Sequence, residues 1–452
     1  MSFISSLSGS RVLVFGAGVT GKPTIEFLED KGATPLVVDE KVSGAGIYGE
    51  LAELDLKDVT LGIVSPGWKH DNRLIKHAIS QGIELISEID LAWRVKKEIA
   101  PDQRWLALTG TNGKTTTVQM AEAILNKGEI NAAACGNVGY TAIEAVSNSE
   151  ASVLVLELSS FQLEWSNEAE FESVAILNIA QDHIDWHGSF ENYAAAKFKI
   201  ANKAGKVILN SHDDEIVKRS RNVSQDVIWF SLETPALHQI GLVENLIVDR
   251  AFISNEAEAL CELSDIKPAV PHNVLNAMAA AALARSIGVT ADSVAAALRD
   301  FKLDHHRLEV VAESEGITWI DDSKATNPHA AVAALQSQLK SIWIAGGLAK
   351  GAAMDELAQR CGARIKAAIL FGTDASVIEN ALKLHAPAVP IYRIEEEDGI
   401  SVMRAAVNKA GELAQKGDSV LLAPACASMD QFKNYAQRGQ FFAQAVKEHL
   451  NV

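Results

Sequence analysis

The sequence predicts an α/β protein of three domains: a Rossmann-like domain first, a phosphate-loop (mononucleotide-type) domain in the middle and a second Rossmann-like domain last. Three observations predict it. Near the start, a G-x-G-x-x-G turn at Gly16 to Gly21 joins an apolar run to a helical segment. A second glycine turn, G-T-N-G-K-T-T-T over 110–117, follows another apolar run. From Thr318 onward, short apolar runs recur with helical segments between several of them, the pattern of a doubly wound parallel sheet. The boundaries expected are 1–98, 99–303 and 304–452, and a chain of 452 residues has length enough for a core in each.

In the first domain, Arg11–Phe15 reads as a strand, a helix runs from the glycine turn to about Lys31, and Pro35–Val38 is a second strand ending at Asp39. A glycine turn with an acid about 20 positions on is the fingerprint of dinucleotide binding. NAD satisfies it. So does a UDP-sugar, which offers a diphosphate to the turn and a ribose or uracil group to Asp39. Three glycines that serve only close helix–strand packing are the bland alternative. Ile63–Ser65 ends a later strand, Pro66-Gly67 turns the chain at the same cleft edge, and the charged stretch Arg94–Asp102 closes the domain.

The central domain opens with the strand Trp105–Leu108. Gly110 and Gly113 let the backbone around Thr111 and Asn112 curl, so that N–H groups converge on an anion at a helix N-terminus. Lys114 then reaches terminal phosphates, Thr115 is placed to ligate Mg²⁺, and Thr116 continues the motif. Only two residues separate the glycines, because position 108 is Leu; the common loop has four. Together these adjacent features outweigh a plain turn with a solvated lysine. Val153–Leu156 is a buried strand finishing at Glu157, the arrangement that holds Mg²⁺ opposite a phosphate loop. After the run Val174–Leu177 comes Asp182-His183-Ile184-Asp185-Trp186-His187, which reads either as a metal or acid–base cluster or as a solvated polar loop.

Ser189 can cap a helix through about Lys203. On it Phe190, Tyr193, Ile200 and Ala204 form an apolar stripe that includes Lys197, while Lys199 and Lys203 face the other side. A lysine there either snorkels to water or stays inside. If it stays, burial lowers its pKa, and a neutral amine could act as a base or add CO₂ to become a carbamate.

The third domain follows His305-His306-Arg307, with strands expected at Thr318–Ile320, Ser341–Ile344, Ala368–Phe371, Val389–Tyr392 and Ser419–Leu422. Polar loops follow three of them, where such sheets place ligands: 321–327, 346–350 and 424–430.

Composition narrows the partners. At 48% hydrophobic and 22% charged, the chain is an ordinary soluble globular protein, and a net charge of −17 speaks against nucleic acid or an anionic membrane. No apolar stretch has the length of a membrane span, and the first residues lack a basic-then-apolar signal pattern. Cys135, Cys261, Cys361 and Cys426 are widely spaced, as expected in a reducing cytoplasm.

The motifs in their order resemble the ATP-dependent Mur ligases of peptidoglycan synthesis over essentially the whole chain, and most of all the D-glutamate-adding members. The resemblance is carried by G-T-N-G-K-T-T at 110–116, G-N-V-G at 136–139, E-L-S-S-F-Q-L at 157–163 and D-H-x-D-x-H-G at 182–188. It continues with A-A-K at 195–197, H-N-x-x-N-A at 272–277, H-R at 306–307, D-S-K-A-T-N at 322–327 and P-A-C-A-S-M-D-Q-F-K-N-Y at 424–435. The D-N-P-R motif of members that add diamino acids is absent.

The resemblance implies an acyl-phosphate ligase, catalytic through Lys114, Glu157, His183 and Lys197, whose substrates are UDP-N-acetylmuramoyl-L-alanine, D-glutamate and ATP. Val19, Thr20, Gly21 and Asp39 would bind UDP, and Asn137, Ser159 and Gln162 the sugar and lactyl-alanine part. ATP would lie between the second and third domains, on the 110–116 turn with Asn273, Asn276, Arg307 and Asp322. Two Mg²⁺ ions are implied, one by Thr115 and Glu157, the other by His183 and a CO₂-derived carbamate on Lys197. The amino acid would meet Lys324, Thr326, Lys350, Ser428 and Tyr435. A monomer without membrane insertion or nucleic acid is expected. Two positions depart from relatives: Tyr435 stands where many have Phe, and Glu40-Lys41 where some have Thr-Arg. A folylpolyglutamate synthase-like ligase shares the compact phosphate loop, but the UDP-type first domain speaks against it. An NAD-dependent oxidoreductase would leave Lys114 and Glu157 idle, and an NTP-driven switch would hydrolyse nucleotide indifferently to amino acids.

Overall fold

The computed structural model describes residues 2–44, 46–148, 150–253 and 256–451. Among these, three sheets form, and the chain divides into two compact units. One comprises the residues up to Ile179, Phe190–Ala269 and Asn273–Phe301; the other comprises Ala180–Ser189, Val270–His272 and the chain from Lys302.

The first sheet is parallel, with strands β1 (Arg11–Phe15), β2 (Thr34–Val38), β3 (Ile47–Tyr48), β4 (Leu61–Val64) and β5 (Glu84–Ser87) in the order β3-β2-β1-β4-β5. The order reverses between β1 and β4, so the crevice beyond their carboxyl ends is where an open α/β sheet receives ligand. The expected first two strands and the helix Gly21–Asp30 are present.

The second sheet has β6 (Arg104–Thr109), β7 (Ala132–Gly136), β8 (Val153–Glu157), β9 (Phe171–Ile176), β10 (Ala204–Asn210), β11 (Asp226–Phe230), β12 (Gln239–Val243), β13 (Leu246–Asp249) and β14 (Glu258–Glu262). Its order is β14-β13-β12-β11-β10-β9-β6-β8-β7, parallel from β7 to β12, with an antiparallel edge formed by β13 and β14. β6 therefore lies between β8 and β9, and the loops leaving these three strands are neighbours.

Residues from both sheets share one continuous apolar core, from Val14 and Leu91 through Trp105 to Leu156 and Val207. Polar groups at the start of the helix Glu88–Ile99 fasten the same junction. Ser87 caps that helix by accepting from Asp90 N. The Glu88 carboxylate accepts from Ile143 N at 2.7 Å. Asp90, with no exposed surface, accepts from the backbone N–H groups of Asn167, Glu168 and Ala169 at 2.9, 2.9 and 3.2 Å. A buried carboxylate is tolerated when backbone donors surround it, and each such bond to a charged group contributes about 1.5–3 kcal/mol.

In the second unit, β15 (Glu309–Ser314), β16 (Ile317–Asp321), β17 (Ser341–Gly346), β18 (Ile365–Phe371), β19 (Ile391–Arg393) and β20 (Ser419–Leu422) pair in the order β15-β16-β20-β17-β18-β19. All are parallel except the edge strand β15. The five strands expected here are present, and the three polar loops leave the carboxyl ends of β16, β17 and β20.

The charged stretch from Arg94 is helical to Ile99, with Arg94 paired to Glu84 and Glu168. Two local expectations are corrected. The helix expected to Lys203 ends at Phe198; Lys199–Lys203 winds into a tighter turn and Ala204 opens β10. That tightening rotates Lys199 inward, where its ammonium donates to Glu164 O at 2.9 Å. No helix among the described residues is long and apolar enough to cross a membrane, and the four cysteines are buried and free.

Candidate active site

The glycine turn after β6 folds as its composition demands. Gly113 has φ +82° and leads the helix Lys114–Lys127; a Cβ there would collide with the side-chain oxygen of Asn276. Lys114 does not extend outward. Its ammonium lies back over the loop, donating to Gly110 O at 2.9 Å and Thr111 O at 3.0 Å. Thr115 is half-buried in the first turn of the helix, and Thr116 is buried beside it. A residue that sequence reasoning missed braces the loop. Asn178, just beyond β9, accepts from Asn112 N at 2.8 Å and returns its amide N–H to Asn112 O at 3.0 Å, while Thr111 N donates to Asn178 O. Its signal was a polar residue directly after an apolar run.

Glu157 ends β8, in register with Leu108 of β6. It is buried, and Asn137 donates to its Oε1 at 2.8 Å, whereas Oε2 is a buried acceptor with no hydrogen-bond partner. A buried oxygen left without a donor is costly unless something else satisfies it. Ser159 and Gln162 form a capping box on the next helix, Ser160–Trp165: Gln162 N donates to Ser159 Oγ and Ser159 N to Gln162 Oε1.

Lys197 stays inside rather than reaching water. It is 2% exposed, its ammonium donates to Gly110 O at 2.8 Å and lies 4.8 Å from the Tyr193 ring centroid, and the Tyr193 hydroxyl bonds the Thr111 hydroxyl at 2.8 Å. Asn273 and Asn276 lie on the helix Pro271–Arg285, both buried. Asn273 donates to Pro268 O, and Asn276 packs against Gly113. The turn, Asn137, Glu157, Lys197 and Asn276 thus converge on one side of the second sheet.

In the first sheet, Gly16 has φ +105°, and a Cβ on Gly21 would overlap Gly16 O, so both positions require glycine. Val19 is 87% exposed at the turn, with Thr20 starting the helix. Asp39 is occupied by backbone: Oδ2 accepts from Ala17 N, and Oδ1 from Lys41 N and Val42 N. Partial burial would raise its pKa, but these three donors outweigh burial and hold it below the usual range. Asp39 therefore shapes the turn whatever ligand it also meets.

The second unit gathers the remaining residues. His183, with φ +52°, precedes the short helix Ile184–His187, and its backbone N–H donates to Asp182 Oδ1. Arg307 and Asp322 are neighbours: burial pushes the Asp322 carboxyl up to about 7, against a backbone donor, Leu308 N, and the Arg307 charge. Lys324 places its ammonium 3.8 Å from the centre of the Tyr435 ring. Lys350 is exposed after β17, while Ser428 is buried after β20. His306 was read only as part of H-R; its Nδ1 shares a 2.6 Å hydrogen bond with buried Asp321, which raises the imidazole pKa.

The phosphate-binding turn, the acid on the neighbouring strand end and the two Rossmann-type sheets together mark a nucleotide-using α/β enzyme, and comparison with known proteins makes it a ligase. The chain belongs to the Mur ligase family. Residues 10–87 match the "Mur ligase MurD-like, N-terminal domain", 108–284 the "Mur ligase middle domain" and 306–426 the "Mur ligase, glutamate ligase domain". Among its relatives is a Streptomyces coelicolor protein, 43% identical across 98% of this chain and 99% of its own length, named UDP-N-acetylmuramoylalanine–D-glutamate ligase. A Thermobifida fusca protein of the same name is 44% identical over the same shares. The solved pseudomurein peptide ligase type C from Methanothermus fervidus shares the fold at a TM-score of 0.62 and 18% identity, over 98% of this chain and all of that one.

Proposed function

We propose that this chain joins D-glutamate to UDP-N-acetylmuramoyl-L-alanine at the expense of ATP, in the cytoplasm and as a monomer. Residues 1–98 would hold the UDP end, 99–303 the ATP and 304–452 the amino acid. The observation that carries this reading is Glu157, steered by Asn137 and left with a bare buried oxygen in register with Leu108, two residues before the phosphate-binding turn. Full-length identity to D-glutamate ligases supports the choice of substrates.

Joining a carboxylate to an amine in water is uphill, because both partners begin charged and solvated. The alanyl carboxylate oxygen attacks the γ-phosphorus of ATP, the bond to the bridging oxygen breaks, and ADP leaves an acyl phosphate. Two anions must approach for this, so cations beside Gly110 favour it. Lys114 would swing from its carbonyl partners to the phosphates, and the backbone N–H groups at the start of the helix Lys114–Lys127 would receive them, since those of Thr111 and Asn112 are held by Asn178. The neutral amine of D-glutamate then attacks the acyl carbon, and the tetrahedral adduct expels phosphate and sheds the extra amine proton.

Mg²⁺ suits the donor set. Glu157 Oε2 and the Thr115 hydroxyl are hard oxygen ligands, and such an ion when bound screens charge on the transferring phosphoryl group. His183 and a carbamate on Lys197 would hold a second. A carbamate keeps one N–H, so a modified Lys197 would still have a donor for Gly110 O.

The test is ADP release measured with each substrate omitted in turn. ADP and amide are expected only when ATP, UDP-N-acetylmuramoyl-L-alanine and D-glutamate are all present. Steady ADP release without amide would overturn the reading.

A further inference from the structure

Arg438 is wholly buried on the last helix, Tyr435–Leu450, and among the described residues its guanidinium forms no ion pair. Its Nε donates to Ser323 Oγ at 3.0 Å and its Nη2 to Ser323 O at 2.8 Å. Its Nη1 donates to Cys426 O at 3.1 Å and, at the limit, to Gly346 O at 3.5 Å. Ser323 Oγ passes the chain on, donating to Tyr435 O at 2.7 Å. The acceptors of this chain of bonds lie in the loops after β16 and β20, at the end of β17 where its loop begins, and on the first residue of the helix itself. Those four segments carry Lys324 and Thr326, Ser428, Lys350 and Tyr435, all five residues proposed to meet the amino acid.

Such an arrangement is expensive unless position matters. Burial lowers the guanidinium pKa to about 10, against the charges of Asp430 and Asp321, so it is still a cation at neutral pH. An apolar side chain would fill the space without that cost, but it could not bind three backbone carbonyls at once. Arginine's planar fork can. Its field is also positive beside a pocket meant for a substrate with two carboxylates.

We propose that Arg438 is the positioning residue of the amino-acid pocket: one buried cation that sets the spacing of four ligand-bearing segments and biases the pocket toward a dianionic amino acid. The proposal rests on the reading that these segments receive D-glutamate. Arg438 itself touches no substrate and acts through Ser323, Gly346 and Cys426.

The test is steady-state kinetics of the full chain and of the Arg438→Lys, Arg438→Ala and Ser323→Ala variants, varying each substrate in turn, with melting temperature as the control for folding. For Arg438→Lys the KM for D-glutamate is expected to rise about ten- to a hundredfold, while the KM values for ATP and the UDP acceptor stay within about threefold. Ser323→Ala, which cuts one bond and the link to Tyr435 but leaves the cation, should show the same selective rise on a smaller scale. It decides the matter if neither arginine variant folds. An unchanged KM for D-glutamate, or an equal rise for all three substrates, would overturn the clamp alone. A wild-type chain that makes no amide with D-glutamate would remove the parent reading, and the clamp with it.

Discussion

Lys114 and Lys197 share one acceptor: both ammonium groups donate to the carbonyl oxygen of Gly110, at 2.9 and 2.8 Å. A polyphosphate at the turn would draw Lys114 away from that oxygen, and conversion of Lys197 to a carbamate would invert its sign, setting an anion beside Lys114.

That inversion gives the first prediction. Lys197→Ala should lower amide formation by about a hundredfold or more, and millimolar formate or acetate should restore part of it by replacing the lost anion. Rates with and without added acid decide it; a variant that no short carboxylate rescues would leave Lys197 acting as an amine.

Asn178 braces the phosphate loop through two side-chain bonds to Asn112. Asn178→Ala removes both bonds and loosens the turn, at a cost of about 1–3 kcal/mol. The KM for ATP should rise about tenfold while that for the UDP acceptor holds. Parallel changes in both would show that the clasp serves general folding instead.

Asn137 orients Glu157 by binding one of its oxygens. Outer partners of this kind change metal affinity about 10- to 100-fold when lost. In Asn137→Ala, the Mg²⁺ concentration for half-maximal rate at saturating nucleotide should climb by at least that lower factor. A magnesium titration that overlays the wild type would rule out the steering role.

Glu88 supplies a pH dependence unrelated to chemistry. Burial raises its pKa from 4.5 to about 7, against the donors Ile143 N and Ala142 N. The folded state thus holds the proton more tightly than the unfolded chain does. Stability drawn from this group is complete below about pH 4.5 and is lost as pH rises through about 7, amounting to about 3 kcal/mol at most. Glu88→Gln should therefore melt higher than wild type at pH 8, with the gap closing toward pH 5. Equal gaps at both would refute the assignment.

Much of this was legible because glycine, lysine and acidic residues at strand ends have few reasons to occur together. The two glycine turns, Glu157, and the polar loops after β16, β17 and β20 could be read straight from residue type and spacing. Lys197 was legible only as a choice, since helical spacing puts it on an apolar stripe without saying whether its end escapes; burial beneath Tyr193 and Gly110 decides. The strands from β10 to β14 were not foreseen, because short runs such as Leu246–Asp249 are too brief to declare a period. Asn178, Asp90 and Arg438 escaped notice for a different reason. Most of their partners are backbone groups far away in the chain, and a backbone group has no letter in the sequence.

The three amides gathered by Asp90 bear on how this molecule can be dissected. A recombinant piece ending near residue 98 would keep both Asp90 and Glu88 but lose every donor from 142–143 and 167–169, exposing two acids and the apolar face behind them. Such a piece should aggregate or unfold, whereas a cut after Phe301 follows a limit of the compact unit itself. A truncated protein therefore has to keep residues 1–179 together, and nucleotide-binding assays are best planned on the full chain, which retains Arg307 and Asp322.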